Sequence, residues 1–140
     1  MTLFDTSVVI DARNAGSPWH EWAKQAIADA NDADGAAVNT IVIAEAAVRV
    51  LDREQFPERL EKMGLTLLPL PITVAAPAAK AYAKYLERLK AGGKSGPSRT
   101  PLGDFLIGAR AEAEGMKLVT RDPDRIRTYF PSVKLKVPKG

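Results

Sequence analysis

The sequence lacks cysteine altogether and contains a single histidine, His20. Without cysteine, the chain has no disulfide, no thiolate nucleophile and no cysteine-based zinc site. With one histidine, the chain cannot by itself supply the histidine acid and histidine base that a metal-free cleavage of RNA requires. If the protein is an enzyme, aspartate and glutamate are therefore the expected acid, base and ligand groups.

Long apolar runs are also missing from the 140 residues. No run approaches the roughly 18 residues of a membrane-spanning helix, and the start MTLFDTSVVID lacks the basic region of a signal peptide. We therefore expect a cytoplasmic protein without membrane contacts. Because 46% of the residues are apolar, the chain can bury a real core, and its length predicts one domain over residues 1–140.

Charge is distributed unevenly along the chain, although the net charge is only +3. Residues 1–79 carry 6 basic and 11 acidic side chains, whereas residues 80–140 carry 14 and 6. A basic C-terminal half is typical of proteins that bind a polyanion, and nucleic acid is the usual one. The alternative is a solvated surface without a binding role.

Short apolar runs alternate with segments of helical periodicity, which predicts an α/β fold with a parallel sheet and helices on both faces. Such sheets bind ligands at the carboxyl ends of their strands. The predicted strands are 3–5, 36–38, 65–68, 117–120 and 133–137, and the predicted helices are 6–13, 18–33, 40–51, 55–63, 74–91, 101–114 and 123–129.

Four acids fall at informative positions of this predicted fold. Asp5 ends the first strand and Asp122 follows the fourth, so both lie at the carboxyl edge of the sheet, unless each only caps the next helix. Glu45 belongs to a helix that is apolar on nearly every side, so it is paired, bound to a metal or at the water-facing rim. Asp104 lies in the first turn of its helix, where the helix dipole alone favours an acid, unless it faces inward.

If the four carboxylates meet, they need cations. Two such charges 4 Å apart repel by about 4 kcal/mol at an effective dielectric near 20. Carboxylate oxygens suit Mg²⁺ or Mn²⁺, and the sequence offers no soft ligands. An ion of this kind activates water and stabilises the leaving oxygen of a phosphodiester, while the basic half would hold the substrate backbone.

Four motifs, in this order and spacing, resemble the PIN-domain family and within it toxins of the VapC type. They are LFDTSVVID, AEAAV, GDFLIGARA and LVTRDPDRIRTYFP, which together span nearly the whole chain. The resemblance implies a three-layer fold with a short, mostly parallel central sheet, and a Mg²⁺- or Mn²⁺-dependent endoribonuclease. By motif, the implied catalytic acids are Asp5, Glu45, Asp104 and Asp122, and the implied metal ligands are Asp5, Asp104 and Asp122.

The resemblance also implies supporting residues and partners. Thr6, the hydroxyl residue after the first acid, is expected near the metal, and Asp124 is expected to assist or replace Asp122. Members of the family typically form homodimers. They are silenced by a cognate antitoxin, whose tail enters the active-site groove with an arginine or lysine that the acids attract.

The expected RNA contacts are basic side chains near the last two motifs. Lys94 and Arg99 lie in the segment GGKSGPSRT of residues 92–100, and Arg121 directly precedes Asp122. The alternative for segment 92–100 is a polar loop without a binding role.

Other classes of protein also place an aspartate after the first strand. A phosphoaspartate enzyme of the haloacid-dehalogenase kind has a second aspartate two residues on, where this chain has Ser7. A receiver domain has further acids beside the first strand, and Asp5 is not preceded by an acidic pair. The remaining alternative is a catalytically inactive PIN-like module that binds RNA or protein, against which the four acids argue.

Overall fold

The computed structural model describes residues 1–93 and 102–139, and its centre is a five-stranded sheet. Numbered along the chain, the strands are β1 (Thr2–Phe4), β2 (Ala36–Asn39), β3 (Leu65–Leu68), β4 (Lys117–Val119) and β5 (Leu135–Lys136). Their order in the sheet is β3-β2-β1-β4-β5, and all four pairings are parallel. The predicted α/β fold is confirmed, with a sheet that is parallel throughout.

Helices fill the connections between the strands. The described residues form the helices α1 (Thr6–Arg13), α2 (His20–Asp32), α3 (Thr40–Ala47), α4 (Phe56–Lys62), α5 (Ala75–Ala91), α6 (Leu102–Glu114) and α7 (Asp124–Tyr129). Short 3-10 turns at Arg53–Gln55 and Ile72–Val74 precede α4 and α5. In the part of the chain that the structure describes, no helix is both long and apolar enough to cross a membrane.

Successive strands are added to the sheet first on one side of β1 and then on the other. From β1 the chain passes to β2 and then β3, and it returns to β4 and β5 on the other side of β1. Because crossovers between parallel strands are right-handed in nearly all proteins, this reversal places helices on both faces and gives three layers. The reversal lies between β1 and β4, and open α/β sheets bind ligands at the carboxyl ends of the strands at such a point.

The central strands β1 and β4 are covered on both faces, which explains why two adjacent residues of each strand, and not only alternate ones, are apolar. Leu3, Phe4, Leu118 and Val119 are all fully buried. Phe4 pairs with Val119 in the register of the two strands. The residues that follow this pair, at the carboxyl edge of the sheet, are therefore brought together by the register.

An aromatic cluster joins α5, α6 and α7 beside this edge. The ring of Phe105 lies 5.3 Å from those of Tyr82 and Tyr129, 5.5 Å from that of Tyr85 and 6.2 Å from that of Phe130. Tilted and edge-on rings at such distances attract one another beyond their burial. The cluster anchors the start of α6, and Asp104 is the residue just before Phe105.

Several predicted element ends are wrong by a few residues. The helix predicted over 40–51 ends at Ala47, because Arg53 donates hydrogen bonds to the carbonyls of Ala47 and Val48 and so caps its last turn. The helix predicted from residue 18 begins at His20, after a turn in which the Ser17 hydroxyl accepts from the backbone N–H of Trp19. The last strand has two residues rather than five.

Candidate active site

Asp5 lies at the junction of β1 and α1 and uses both of its carboxylate oxygens. Oδ1 accepts a hydrogen bond of 2.8 Å from the backbone N–H of Thr6, so Asp5 is the N-cap of α1. Oδ2 accepts a hydrogen bond of 2.7 Å from Oγ1 of Thr120, the residue after β4. Asp5 therefore both caps a helix and stands at the point where the sheet order reverses.

The surroundings of Asp5 disfavour its negative charge. Burial raises the pKa of the Asp5 carboxyl from 3.8 to about 6, and the negative charges of Asp104 and Glu45 add to this effect. The hydrogen bonds from Thr120 and from the backbone of Thr6 oppose it, since they stabilise the ionised form. Thus Asp5 experiences the charges of two of the other acids that the sequence singled out.

Asp5, Asp104 and Asp122 line one small pocket at the carboxyl edge of the sheet, whose volume of about 10 Å³ is that of a site for a single water molecule. Asp104 enters it from the first turn of α6 and is part-buried, whereas Asp122, in the loop after β4, is exposed. The other lining residues are Ile107, Leu118, Arg125 and Ile126. Three acids that are far apart in sequence thus face one cavity, with an apolar floor.

Glu45 reaches the same edge from α3. Its Oε1 accepts a hydrogen bond of 2.7 Å from Oγ1 of Thr6, so the first helix and the third are tied together beside Asp5. Glu45 is exposed at the rim. A Cβ atom on Gly103 would lie only 2.7 Å from Oε2 of Glu45, so a side chain on the residue before Asp104 would displace this carboxylate.

The loop after β4 is organised by Thr120. The Thr120 hydroxyl donates to Asp5 and accepts a hydrogen bond of 3.1 Å from the backbone N–H of Asp122. This buried hydroxyl therefore positions Asp122 relative to Asp5. Asp124 is exposed at the start of α7 and is not among the residues that line the pocket.

Arg125 is the one basic residue among those that line the acidic pocket. Its Nη1 lies 2.5 Å from Oδ2 of Asp104. Its guanidinium carbon lies 5.2 Å from the ring centre of Tyr85 and 6.0 Å from that of Phe105. Three residues of the site, Arg125, Thr120 and Gly103, were not predicted from the sequence. A search for small and hydroxyl residues beside each acid would have found the last two, but no local pattern pairs Arg125 with Asp104.

Of the three basic residues predicted from the sequence as RNA contacts, one lies in the described part of the chain and two do not. Arg121 forms an ion pair with buried Asp11, with 2.6 Å between Nε and Oδ2, although the two atoms are outside hydrogen-bonding geometry. The other oxygen of Asp11 accepts a hydrogen bond from Ser17. Arg121 thus links α1 to the loop of Asp122, and its role as an RNA contact stays a prediction. Lys94 and Arg99 lie outside the described residues.

The acids of this site offer only oxygen ligands, a donor chemistry that fits Mg²⁺ or Mn²⁺. Within residues 1–93 and 102–139, no three histidine or acidic side chains are arranged as a ready metal site. Asp104 faces the guanidinium of Arg125, and both oxygens of Asp5 accept hydrogen bonds. A metal ion held by Asp5, Asp104 and Asp122 therefore stays a prediction.

Solved structures with the same fold come from bacterial protein complexes. A chain of the VapBC2 complex from Rickettsia felis, bound to a promoter DNA fragment, has a TM-score of 0.63 and 19% identity, with 99% of this chain and 98% of that chain covered. A toxin–antitoxin complex from Klebsiella pneumoniae gives 0.59 and 21%, with 95% of each chain covered. FitAcB from Neisseria gonorrhoeae gives 0.58 and 22%, with 96% of each chain covered.

Sequence comparison identifies the family directly. A comparison with curated proteins found no match. The sequence profile of the PIN domain, in contrast, matches residues 2–131, which include every element from β1 to α7 and all four acids. This chain therefore belongs to the PIN domain family.

Proposed function

We propose that this protein is a Mg²⁺- or Mn²⁺-dependent endoribonuclease, and that it acts as the toxin of a toxin–antitoxin pair. The observation that carries the proposal is the pocket shared by Asp5, Asp104 and Asp122 on a PIN fold. Three carboxylates, from the junction of β1 and α1, from α6 and from the loop after β4, face one pocket at the reversal of the strand order, which is where such sheets bind ligands.

In this proposal the acids have separate tasks. Asp5, Asp104 and Asp122 would hold the ion, which would supply activation of water and charge stabilisation for the leaving oxygen. Glu45, exposed at the rim and oriented by the Thr6 hydroxyl, accepts the proton of the attacking water. Hydrolysis adds that water across a P–O bond, so one fragment gains a phosphate end and the other a hydroxyl.

A basic groove between α5 and α7 supports a single-stranded RNA substrate. Lys84, Tyr129 and Thr128 line both of its halves, Arg88 lines one half and Lys80 the other, although Glu87 and Glu112 also contribute. The ring of Tyr129 lies 5.3 Å from that of Phe105, so the groove borders the aromatic cluster next to Asp104. Cations along a backbone with an aromatic ring for stacking are the usual features of a surface that binds single strands.

A second groove supports the antitoxin as a partner. It borders Glu45 and Thr6, and exposed Ile10 and Val48 contribute apolar surface to it. Arg13 and Arg49 also line this groove. The antitoxin segment that fits it carries apolar side chains, acids opposite the two arginines and a cation beside Glu45. The similar chains from Rickettsia felis and Klebsiella pneumoniae come from complexes of this two-protein type. We propose that the protein is also a homodimer, as the family resemblance implies.

Incubation of the purified protein with total cellular RNA, with Mg²⁺, with Mn²⁺ or with a chelator, tests the proposed activity. Asp5→Asn is the informative variant, because asparagine can still cap α1 but removes the charge. Asp32→Asn, on the exposed side of α2, is the matched control. We expect discrete fragments only with metal, from the wild type and the control. RNA binding without cleavage in every lane would instead indicate an inactive binding module.

A further inference from the structure

Arg125 places a positive charge inside the acidic pocket. It projects from the first turn of α7 and lines the cavity together with Asp5, Asp104 and Asp122. Its guanidinium Nη1 is 2.5 Å from Oδ2 of Asp104. One of the three carboxylates assigned to the metal therefore already has a cation partner that belongs to the same chain.

Two kinds of contact hold the guanidinium in this position. Besides the ion pair with Asp104, it lies over the faces of Tyr85 and Phe105, at 5.2 Å and 6.0 Å from the ring centres. Aromatic faces attract cations. The side chain of Arg125 is 34% exposed and that of Asp104 is 40% exposed, so water screens the ion pair. Such an ion pair separates easily. The guanidinium can then stay in contact with the two aromatic rings while Asp104 binds another partner.

The guanidinium and a divalent cation cannot share Asp104 freely. Mg²⁺ and Mn²⁺ require carboxylate lone pairs at close range and in a strict geometry, whereas Oδ2 of Asp104 already has the guanidinium Nη1 of Arg125 at 2.5 Å. The two cations also repel each other across a small cavity. Binding of one at Asp104 therefore weakens the binding of the other.

We propose that Arg125 is a built-in counter-cation, which neutralises Asp104 in the metal-free protein and is exchanged for the divalent ion when the site is loaded. The inference rests on the proposed metal-dependent function. It adds that the affinity for metal is set by competition inside the chain. The displaced guanidinium, still held over the rings of Tyr85 and Phe105, then lies beside the pocket as a positive charge for a substrate phosphate.

Direct measurement of Mn²⁺ binding tests the exchange without any need for activity. Calorimetric titration of the full chain gives the dissociation constant of Mn²⁺, and the Mn²⁺-dependent rise of Tm is a second readout. The variant is Arg125→Gln. The matched control is Arg127→Gln, which removes the same charge from an exposed position two residues along α7. We expect the dissociation constant to fall by about fivefold in R125Q, and to stay within about twofold of wild type in R127Q because solvent and salt screen that charge.

The experiment separates a failure of the proposed exchange from a failure of the proposed metal-dependent function. Wild-type or weaker affinity in R125Q overturns the exchange and leaves the metal-dependent function intact. Equal tightening in R125Q and R127Q also overturns it, because the effect would then come from net charge. Absence of Mn²⁺ binding in every variant overturns the metal-dependent function and the exchange together. If R125Q does not fold, Arg125→Lys carries the test: it keeps the charge but loses the planar group on the rings, so we expect a smaller tightening.

Discussion

At the scale of single residues, Asp5 combines two roles that the sequence presented as alternatives. One oxygen caps α1, which is the purely structural role that an aspartate between a strand and a helix can have. The other oxygen accepts a hydrogen bond from Thr120 in a pocket shared with Asp104 and Asp122. The cap and the site are compatible because a carboxylate has two oxygens, and because the N-terminus of α1 is itself part of the carboxyl edge.

The raised pKa of Asp5 predicts how the stability of the metal-free protein depends on pH. The folded protein binds the Asp5 proton more tightly than the unfolded chain, whose value is near 3.8, because the folded pKa is about 6. The contribution of Asp5 to the free energy of unfolding is therefore largest below pH 4 and is lost as the pH rises through 6, by up to about 3 kcal/mol. Urea unfolding in a chelator between pH 4 and 8 measures this loss.

Comparison with Asp5→Asn isolates the contribution of this one group, since other carboxyls titrate over the same range. We expect the difference in unfolding free energy between D5N and wild type to increase in favour of D5N as the pH rises from 4 to 7. A constant difference across this range would contradict the raised pKa of Asp5.

At the scale of elements, α6 uses two glycines for different purposes. Gly103 leaves room for the carboxylate of Glu45, which a Cβ would approach to 2.7 Å. Gly108 lies against buried Phe130, whose ring a Cβ would approach to 2.4 Å, and against Ile126. The first glycine therefore serves the site, and the second allows α6 to pack closely against α7 and the residue that ends it.

Gly108→Ala is expected to lower the free energy of unfolding by about 1–3 kcal/mol, because the added methyl group overlaps the ring of buried Phe130. This cost exceeds the gain of up to about 1 kcal/mol that alanine brings to a helix interior. Urea unfolding in the presence of a chelator measures the change.

Gly103→Ala, in the same helix, is the control for this experiment. Its overlap is with the end of an exposed side chain that can rotate away, so we expect unchanged or slightly higher stability and a loss of RNA cleavage of at least about tenfold. A stability of G108A equal to that of G103A would contradict the close packing of α6 against α7.

At the scale of the whole molecule, basic residues from the C-terminal half of the sequence line a groove, and this groove lies next to the acidic pocket. The α5–α7 groove collects cations from the basic half of the chain, with Lys80, Lys84 and Arg88 spaced four residues apart on one face of α5. The acids meet at the carboxyl edge of the sheet, beside the other end of the aromatic cluster. This arrangement suits the proposed function, in which a polyanion passes through the groove to the cation that we propose the acids bind.

The double variant Lys84→Gln/Arg88→Gln tests the groove. In the D5N background, so that RNA is not cut, we expect the affinity for single-stranded RNA to fall by about tenfold near 0.1 M salt. The slope of log affinity against log salt should decrease by about 1.4, from two lost phosphate contacts. Fluorescence anisotropy with a labelled oligonucleotide measures both. Equal losses in the control Lys24→Gln/Lys62→Gln, on α2 and α4, would contradict a specific groove.

The order of strands and helices could be predicted from the sequence, because the periodicity of apolar residues follows local geometry. Element ends were harder to predict: the end of α3 depends on Arg53, six residues further along, which caps the carbonyl of Ala47. The pocket of Asp5, Asp104 and Asp122 agrees with the predicted grouping of these acids. Glu45 is not among the residues that line this pocket; it lies beside the pocket, where it accepts a hydrogen bond from Thr6, 39 residues away in sequence.

The fold class, the family and the placement of the acids at the ends of strands and helices follow from local patterns and their order along the chain, so they could be predicted without the structure. The partner of each acid, in contrast, depends on how the whole chain packs. The pairing of Phe4 with Val119 brings Thr120 to Asp5, and the packing of α7 beside α6 brings Arg125 to Asp104. Strand register and helix packing arise from the folded core as a whole, so no local pattern contains them.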